Sequence, residues 1–304
     1  MPIAVAALGG NAIVSPDGVS VDLRRAPLAL ARLVALGWDL VVTHGNGPQV
    51  GQRLLETQAA GNEHAPLDVL VAETEGSLGY LLQQALGNTL REAGHPRTVA
   101  ALVTQVVVAA DDPAFRAPAK PVGPFYDAAR GEALRREKGW AMREDAGRGM
   151  RRVVPSPEPL EIVERRAIAA LVAEGVVVIA AGGGGIPVVR DAQGRLRGVE
   201  AVVDKDRSSF LLARLLGADL LLILTGVAEV LLDFGLPSAR PVRRLAVQDA
   251  RERLARGEFA AGSMGPKVAA ASDFAAATGR PAIITSAERV LDALVGTSGT
   301  VIQT

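Results

Sequence analysis

Four short apolar runs in this chain stop abruptly at glycine. Residues 3–8 end at Gly9-Gly10-Asn11, 39–44 at Gly45-Asn46-Gly47, 176–181 at Gly182 to Gly185, and 219–224 at Thr225-Gly226. A continuous apolar run of this length marks a strand covered on both faces, which is the habit of parallel sheets. A helical pattern follows the first loop: Leu28, Leu30, Ala31, Leu33, Val34 and Leu36 come after Pro27, and Gly37 stands where a C-terminal cap belongs. Strand, glycine loop and helix in that order call for right-handed crossovers. The expected fold is therefore α/β, an open three-layer αβα sandwich with a mostly parallel sheet, its ligands lying beyond the carboxyl ends of the strands.

The remaining pattern fits this frame with one interruption. Residues 72–90 read as a long helix and 98–108, rich in β-branched residues, as a strand. From Asp111 to Pro159 prolines and glycines crowd in and apolar periodicity weakens, which predicts an excursion outside the main sheet. Alternation then resumes, with helices over 160–173, 208–216, 247–255 and 266–277, a hairpin turn over 191–195, and strands near Val230 and over 282–284. A length of 304 residues suits two lobes or one α/β unit with an insertion.

Composition narrows the chemistry. With 33 basic and 33 acidic residues the chain is neutral and shows no basic patch, so nucleic-acid binding is not expected. No apolar run reaches the roughly 20 residues of a membrane span, and the opening segment lacks a basic leader, so a cytoplasmic protein is expected. Cysteine is absent, and His44, His64 and His95 are not spaced as metal ligands, which sets aside thiol chemistry and a zinc site. The G-x-x-x-x-G-K-[ST] loop, the dinucleotide glycine spacing and the G-x-S-x-G elbow are all missing.

What remains is a set of glycine loops and few lysines. Glycine lets backbone approach a ligand closely, and a loop entering a helix offers unpaired N–H groups to an anion. Lysine occurs only at 120, 138, 205 and 267, against 29 arginines, so each lysine is a candidate for a task that a compact ammonium performs and a planar guanidinium does not. Lys138 sits in a charged run and reads as surface. Lys205, between Asp204 and Asp206 directly after an apolar strand, reads as functional, and Lys120 and Lys267 also lie in or beside loops. Converging lysines and backbone donors without an evident general base suit phosphoryl transfer to an acceptor that is already anionic. His44, Glu73 and Glu75 read as structural, the two glutamates on a helix face or a subunit contact.

Ordered blocks through nearly the whole chain carry a family resemblance. They are Ala7-Leu-Gly-Gly-Asn-Ala12, Thr43-His-Gly-Asn-Gly-Pro-Gln-Val-Gly51, Lys120-Pro-Val-Gly-Pro-Phe-Tyr126, Glu144-Asp-Ala-Gly-Arg-Gly149, Arg151-Arg-Val-Val-Pro-Ser-Pro157, Ala180 to Pro187, Asp204-Lys-Asp206, Leu224-Thr-Gly-Val227 and Gly262-Ser-Met-Gly-Pro-Lys267. Together they resemble the carbamate kinases of the amino acid kinase superfamily. The resemblance implies reversible phosphoryl transfer between carbamoyl phosphate and ADP, giving ATP and carbamate, with Mg²⁺, usually in a homodimer. It implies a carbamoyl phosphate lobe over 1–215 with an inserted lid over about 111–150, and a nucleotide lobe over 216–304. Gly9, Gly10, Asn11, Gly45 and Asn46 would bind the transferring phosphoryl group or the carbamate. Lys120, Lys205, Asp206 and Lys267 would be catalytic, and Asp204, Thr225, Gly226, Val227, Met264 and Lys267 would bind nucleotide. Arginine or purine breakdown and carbamoyl phosphate supply would use the same site. The competing readings are a same-fold kinase for another acidic acceptor, such as acetylglutamate, and a noncatalytic carbamoyl phosphate or nucleotide sensor.

Overall fold

The computed structural model describes residues 1–13, 22–61, 65–145, 149–260 and 262–304. Its centre is an eight-stranded sheet in the order Arg244–Ala246, Thr300–Gln303, Ala282–Ser286, Leu220–Thr225, Ile3–Leu8, Asp39–His44, Val177–Ile179, Val99–Ala101. Every pairing in it is parallel except that of Ala282–Ser286 with Thr300–Gln303. Alternate residues of the central strand face opposite cores. Val5 and Ala7 pack with Leu211, Leu212, Val268 and Phe274 on one side, while Ala4, Ala6 and Leu8 pack with Leu30, Leu33, Leu82 and Leu86 on the other. Both faces are therefore covered by helices, which is why these strands carry no polar alternation.

Strand order diverges on either side of Ile3–Leu8. Its last residue, Leu8, is level with Leu224 on one neighbour and with His44 on the other. The loops that open at Gly9, Gly45 and Thr225 consequently leave the sheet side by side at its carboxyl edge, the switch point where an open α/β sheet gathers ligands.

The long helix Leu67–Glu92 buries Leu67, Leu70, Val71, Thr74, Glu75, Leu78, Leu82, Leu86 and Leu90, a stripe at three- and four-residue spacing. The excursion after Asp111 holds a three-stranded antiparallel sheet of Lys120–Tyr126, Met142–Glu144 and Met150–Val154 with helix Ala128–Lys138. Asp127 caps that helix by accepting from Arg130 N, and left-handed Gly139 ends it. A four-stranded sheet of Leu196–Gly198, Ile186–Arg190, Gln105–Val108 and Pro159–Ile162 lies between.

Several boundaries differ from the sequence reading. The stretch 98–108 is two strands in two sheets, Val99–Ala101 and Gln105–Val108, because Thr104 between them turns to accept Ala181 N on its hydroxyl. Residues 160–162 form a strand against Gln105–Val108, so the next helix starts only at Arg165. Lys205 opens a helix rather than following a strand: Lys205–Leu216 is helical, and the buried residues Ala201 to Val203 before it pair in no sheet. Among the described residues no helix is long and apolar enough to cross a membrane.

Candidate active site

Helices Lys205–Leu216 and Met264–Thr278 bring two lysines to one carboxylate. Asp206 Oδ1 lies 2.5 Å from Lys205 Nζ and Oδ2 lies 2.9 Å from Lys267 Nζ, with Asp206 only 4% exposed at its side chain. Burial alone would raise the Asp206 carboxyl, but the two ammonium groups outweigh it and hold it below the ordinary carboxylate range. Burial likewise pulls the Lys205 ammonium below its usual value, against the pull of Asp206. Both lysines are turned inward because the sequence puts the first of them, with its acid, in the first turn of one helix and the second in the first turn of the other.

The third lysine arrives from the excursion. Lys120 Nζ reaches Asp204 Oδ2 at 2.6 Å. Asp204 is also the N-cap of helix Lys205–Leu216, where its Oδ1 accepts from Asp206 N at 2.9 Å and Arg207 N at 3.4 Å. Burial pushes this carboxyl up, Lys120 pulls it down further, and it settles at about 2. Three ammonium groups thus gather at the start of one helix with two carboxylates among them.

Beside them opens a cleft of about 500 Å³, within the range that small-molecule sites occupy. Gly9, Gly10, Thr225, Gly226, Val227, Met264 and Lys267 line it. Glycine is required at Gly9, where a Cβ would stand 2.8 Å from the Leu224 carbonyl oxygen, and Gly45 abuts Gly10. Ser263 makes no side-chain cap for Met264–Thr278, whose start is tied instead by Gly265 N donating to Ala260 O. Glu229, Phe234 and Phe259 also line the cleft and had no distinguishing signal in the sequence. Asp204, expected at the nucleotide, is not among the lining residues. Asn11 follows Gly10 in the short turn Gly10–Ile13, but its side chain lies outside the described residues, as do 146–148 of the Glu144–Gly149 block.

Two expectations need correction. The Gly182–Gly185 loop is buried and its amides face protein, with Gly182 N on Glu75 Oε1, Gly184 N on Ala181 O and Gly185 N on Gly182 O. Its glycines are instead forced by neighbours: side chains there would strike His44 and Glu75, Asn46, Val203 and Val106 in turn. Glu75, read as a helix-face or subunit-contact residue, is 3% exposed and turned inward. Its carboxyl accepts from Gly182 N and Thr104 N, and burial pushes it up to about 8 against those two amides.

Asn46 is 2% exposed and gives one side-chain N–H to Thr74 Oγ1. His44 is structural as expected: Nδ1 donates to Gly45 O at 3.1 Å, and burial lowers the ring to about 4, which keeps it neutral. Among the described residues four buried side-chain polar atoms lack a partner, and three of them are His44 Nε2, Gln49 Nε2 and Gln49 Oε1. Gln49, in the first turn of helix Gly47–Ala59, was not singled out by its sequence context; an orphan amide is visible only once the fold buries it.

A glycine-walled cleft at the switch point of an αβα sheet, with lysines fixed on a buried carboxylate, defines a phosphoryl-transfer enzyme that works by charge and position. The amino acid kinase family model matches residues 2–286. The chain is 45% identical to a carbamate kinase of Pyrococcus horikoshii over 97% of both chains, and 46% identical to carbamate kinase 2 of Enterococcus faecalis over 99% of both. The solved carbamate kinase from Giardia lamblia bound to AMP-PNP superposes with a TM-score of 0.90 at 40% identity, covering 99% of this chain and 98% of that one. A UMP kinase of Bacillus anthracis shares the fold alone, at 0.55 and 16%. The chain belongs to the amino acid kinase family and, within it, to the carbamate kinases, whose reaction is phosphoryl transfer between carbamoyl phosphate and ADP.

Proposed function

We propose that the reaction runs at the junction of the glycine loops and the three lysines. An oxygen of the ADP β-phosphate attacks phosphorus, the bond from phosphorus to the carbamate oxygen breaks, and carbamate leaves; ATP synthesis of carbamoyl phosphate is the reverse. Both nucleophiles are already anions, so no base is needed and the neutral His44 has no proton to move. Gly10, Asn11 and Asn46 offer donors to the phosphoryl group and carbamate, while Gly9 and Gly45, whose own N–H groups go to Leu224 O and Leu8 O, leave room for that group to approach. Lys205 and Lys267 neutralise charge on the transferred group and the nucleotide phosphates, Asp206 holds both, and Lys120 reaches in from the lid. Thr225, Gly226, Val227 and Met264 wall the nucleotide. The observation that carries this reading is the single buried carboxylate of Asp206 shared by Lys205 and Lys267.

Mg²⁺ enters on the nucleotide as part of the substrate. The donor set fits that role: Asp204 and Asp206 are committed to ammonium groups, and no cluster of three metal-ligating side chains occurs among the described residues, so phosphate oxygens and water hold the ion. The same reading assigns the carbamoyl phosphate lobe to 1–215, the lid to about 111–150 and the nucleotide lobe to 216–304. It also makes the enzyme a cytoplasmic homodimer of arginine metabolism. Exposed Tyr80, Leu81 and Val103 supply apolar surface for a subunit contact, which a molecular-mass measurement in solution tests. One related structure from Giardia lamblia is thiocarbamoylated by disulfiram on a cysteine; this chain has none, so disulfiram has no such target here. A panel of carbamate, acetylglutamate, aspartate and glutamate with ATP tests the acceptor, and turnover confined to carbamate supports the assignment.

A further inference from the structure

We infer that Asp204 is the positioning residue that docks Lys120, and with it the protruding sheet, against the catalytic helix, rather than a nucleotide contact. The inference rests on the reading of the site given above. Lys120 is the first residue of strand Lys120–Tyr126 and lies 84 positions before Asp204 in the chain, yet the two side chains are 2.6 Å apart. Asp204 divides its carboxylate between two tasks. Oδ1 caps helix Lys205–Leu216, and Oδ2 takes the ammonium of Lys120. One residue therefore fixes both the start of the helix that carries Lys205 and Asp206 and the place where the excursion touches it.

Charge explains why a second acid is required. Asp206 is occupied on both oxygens, Oδ1 by Lys205 and Oδ2 by Lys267. A third ammonium brought to the same helix start would have no acid of its own if Asp204 were neutral. The protruding sheet also docks through Val122 and Val154, buried with Val50, Val71, Val107 and Val202, and through Gly51 on the Gly123 backbone, but the other ion pair from it to the body among the described residues, Arg152 with Glu200, is 3.3 Å long with the glutamate more than half exposed. The Lys120 pair is shorter than the Arg152 pair and its acid is more deeply set, 19% exposed against 57%. Asp204 is also absent from the lining of the nucleotide cleft. Its effect should therefore fall on carbamoyl phosphate and not on ADP.

Asp204→Asn keeps an oxygen for the cap and removes only the charge. Its kcat/KM for carbamoyl phosphate is expected to fall about tenfold or more, the scale of a displaced catalytic group, while the KM for ADP stays within about twofold. In a Lys120→Ala background the same change adds less than about twofold, because the group through which Asp204 acts is already gone. Equal losses in both backgrounds, or a raised KM for ADP with carbamoyl phosphate unaffected, overturn the inference. If Asp204→Asn does not fold, Lys120→Gln reads the docking directly: amide exchange along Lys120–Tyr126 is expected to quicken relative to wild type, and unchanged exchange overturns the inference. Wild-type protein that makes no ATP defeats the reading of the activity instead, and the exchange measurement still decides the docking.

Discussion

The ammonium of Lys267 lies 2.9 Å from the carboxylate of Asp206, across 61 residues of sequence. That contact ties helix Met264–Thr278 to helix Lys205–Leu216, and the rest of the site is arranged around it.

Removing the shared acid should separate stability from substrate binding. Asp206→Ala leaves two largely buried ammonium groups without their counter-ion, at a cost of about 3–5 kcal/mol. Phosphate ligands replace the lost negative charge. ADP and carbamoyl phosphate are therefore expected to raise the melting temperature of the variant more than that of wild type. Differential scanning calorimetry checks this, and equal increments would show that the lysines do not face the phosphates.

Two buried groups give stability a pH dependence with a defined window. Glu75 is raised from 4.5 to about 8, so between those values the native state holds a proton the unfolded chain has lost, and stability falls as pH rises. His44 is lowered from 6.5 to about 4, so in that range the unfolded chain holds the extra proton and stability rises with pH. The two oppose each other from 4.5 to 6.5, and above 6.5 Glu75 acts alone. Denaturant unfolding should show stability declining from pH 6.5 to 8, with the decline lost in Glu75→Gln; a flat wild-type profile there contradicts the account.

The orphan amide of Gln49 sits three residues after Asn46, at the start of the helix that leaves the substrate loop. Gln49→Leu removes a buried unpaired donor and acceptor, so stability is expected to hold or rise, by up to about 1–3 kcal/mol. A primary amide also complements the carbamoyl group. The preference for carbamoyl phosphate over acetyl phosphate, which carries methyl in place of the amino group, should fall about tenfold or more. Loss of stability with the preference intact would make Gln49 a purely structural residue.

The excursion should respond to ligand. Amide exchange across Lys120–Tyr126 and Met142–Glu144 is expected to slow when carbamoyl phosphate and ADP are bound, as a lid settles over the site. Exchange that substrates leave unchanged would remove the lid.

What the sequence made legible was local. Apolar runs ending in glycine located the strand ends at Leu8 and His44, and the third, at Thr225, to within one residue, and lysine scarcity pointed to Lys120, Lys205 and Lys267. What it hid depends on distant partners. The break at Thr104 is made by Ala181 and Glu75, 77 and 29 positions away. Glu75 read as a helix-face or subunit-contact residue because a carboxyl in an apolar stripe has no local sign that Gly182, 107 positions on, will need it. The four glycines at Gly182 looked like a phosphate cradle for the same reason: run length shows that side chains are excluded, but not whether ligand or protein excludes them.

The most direct test of the central claim is ATP formation from carbamoyl phosphate, ADP and Mg²⁺ by wild type and by Lys205→Ala, with spontaneous carbamoyl phosphate decay subtracted. The account predicts rapid ATP formation by wild type and a drop of about a hundredfold or more in a folded Lys205→Ala variant. Near-normal turnover in that variant would contradict it.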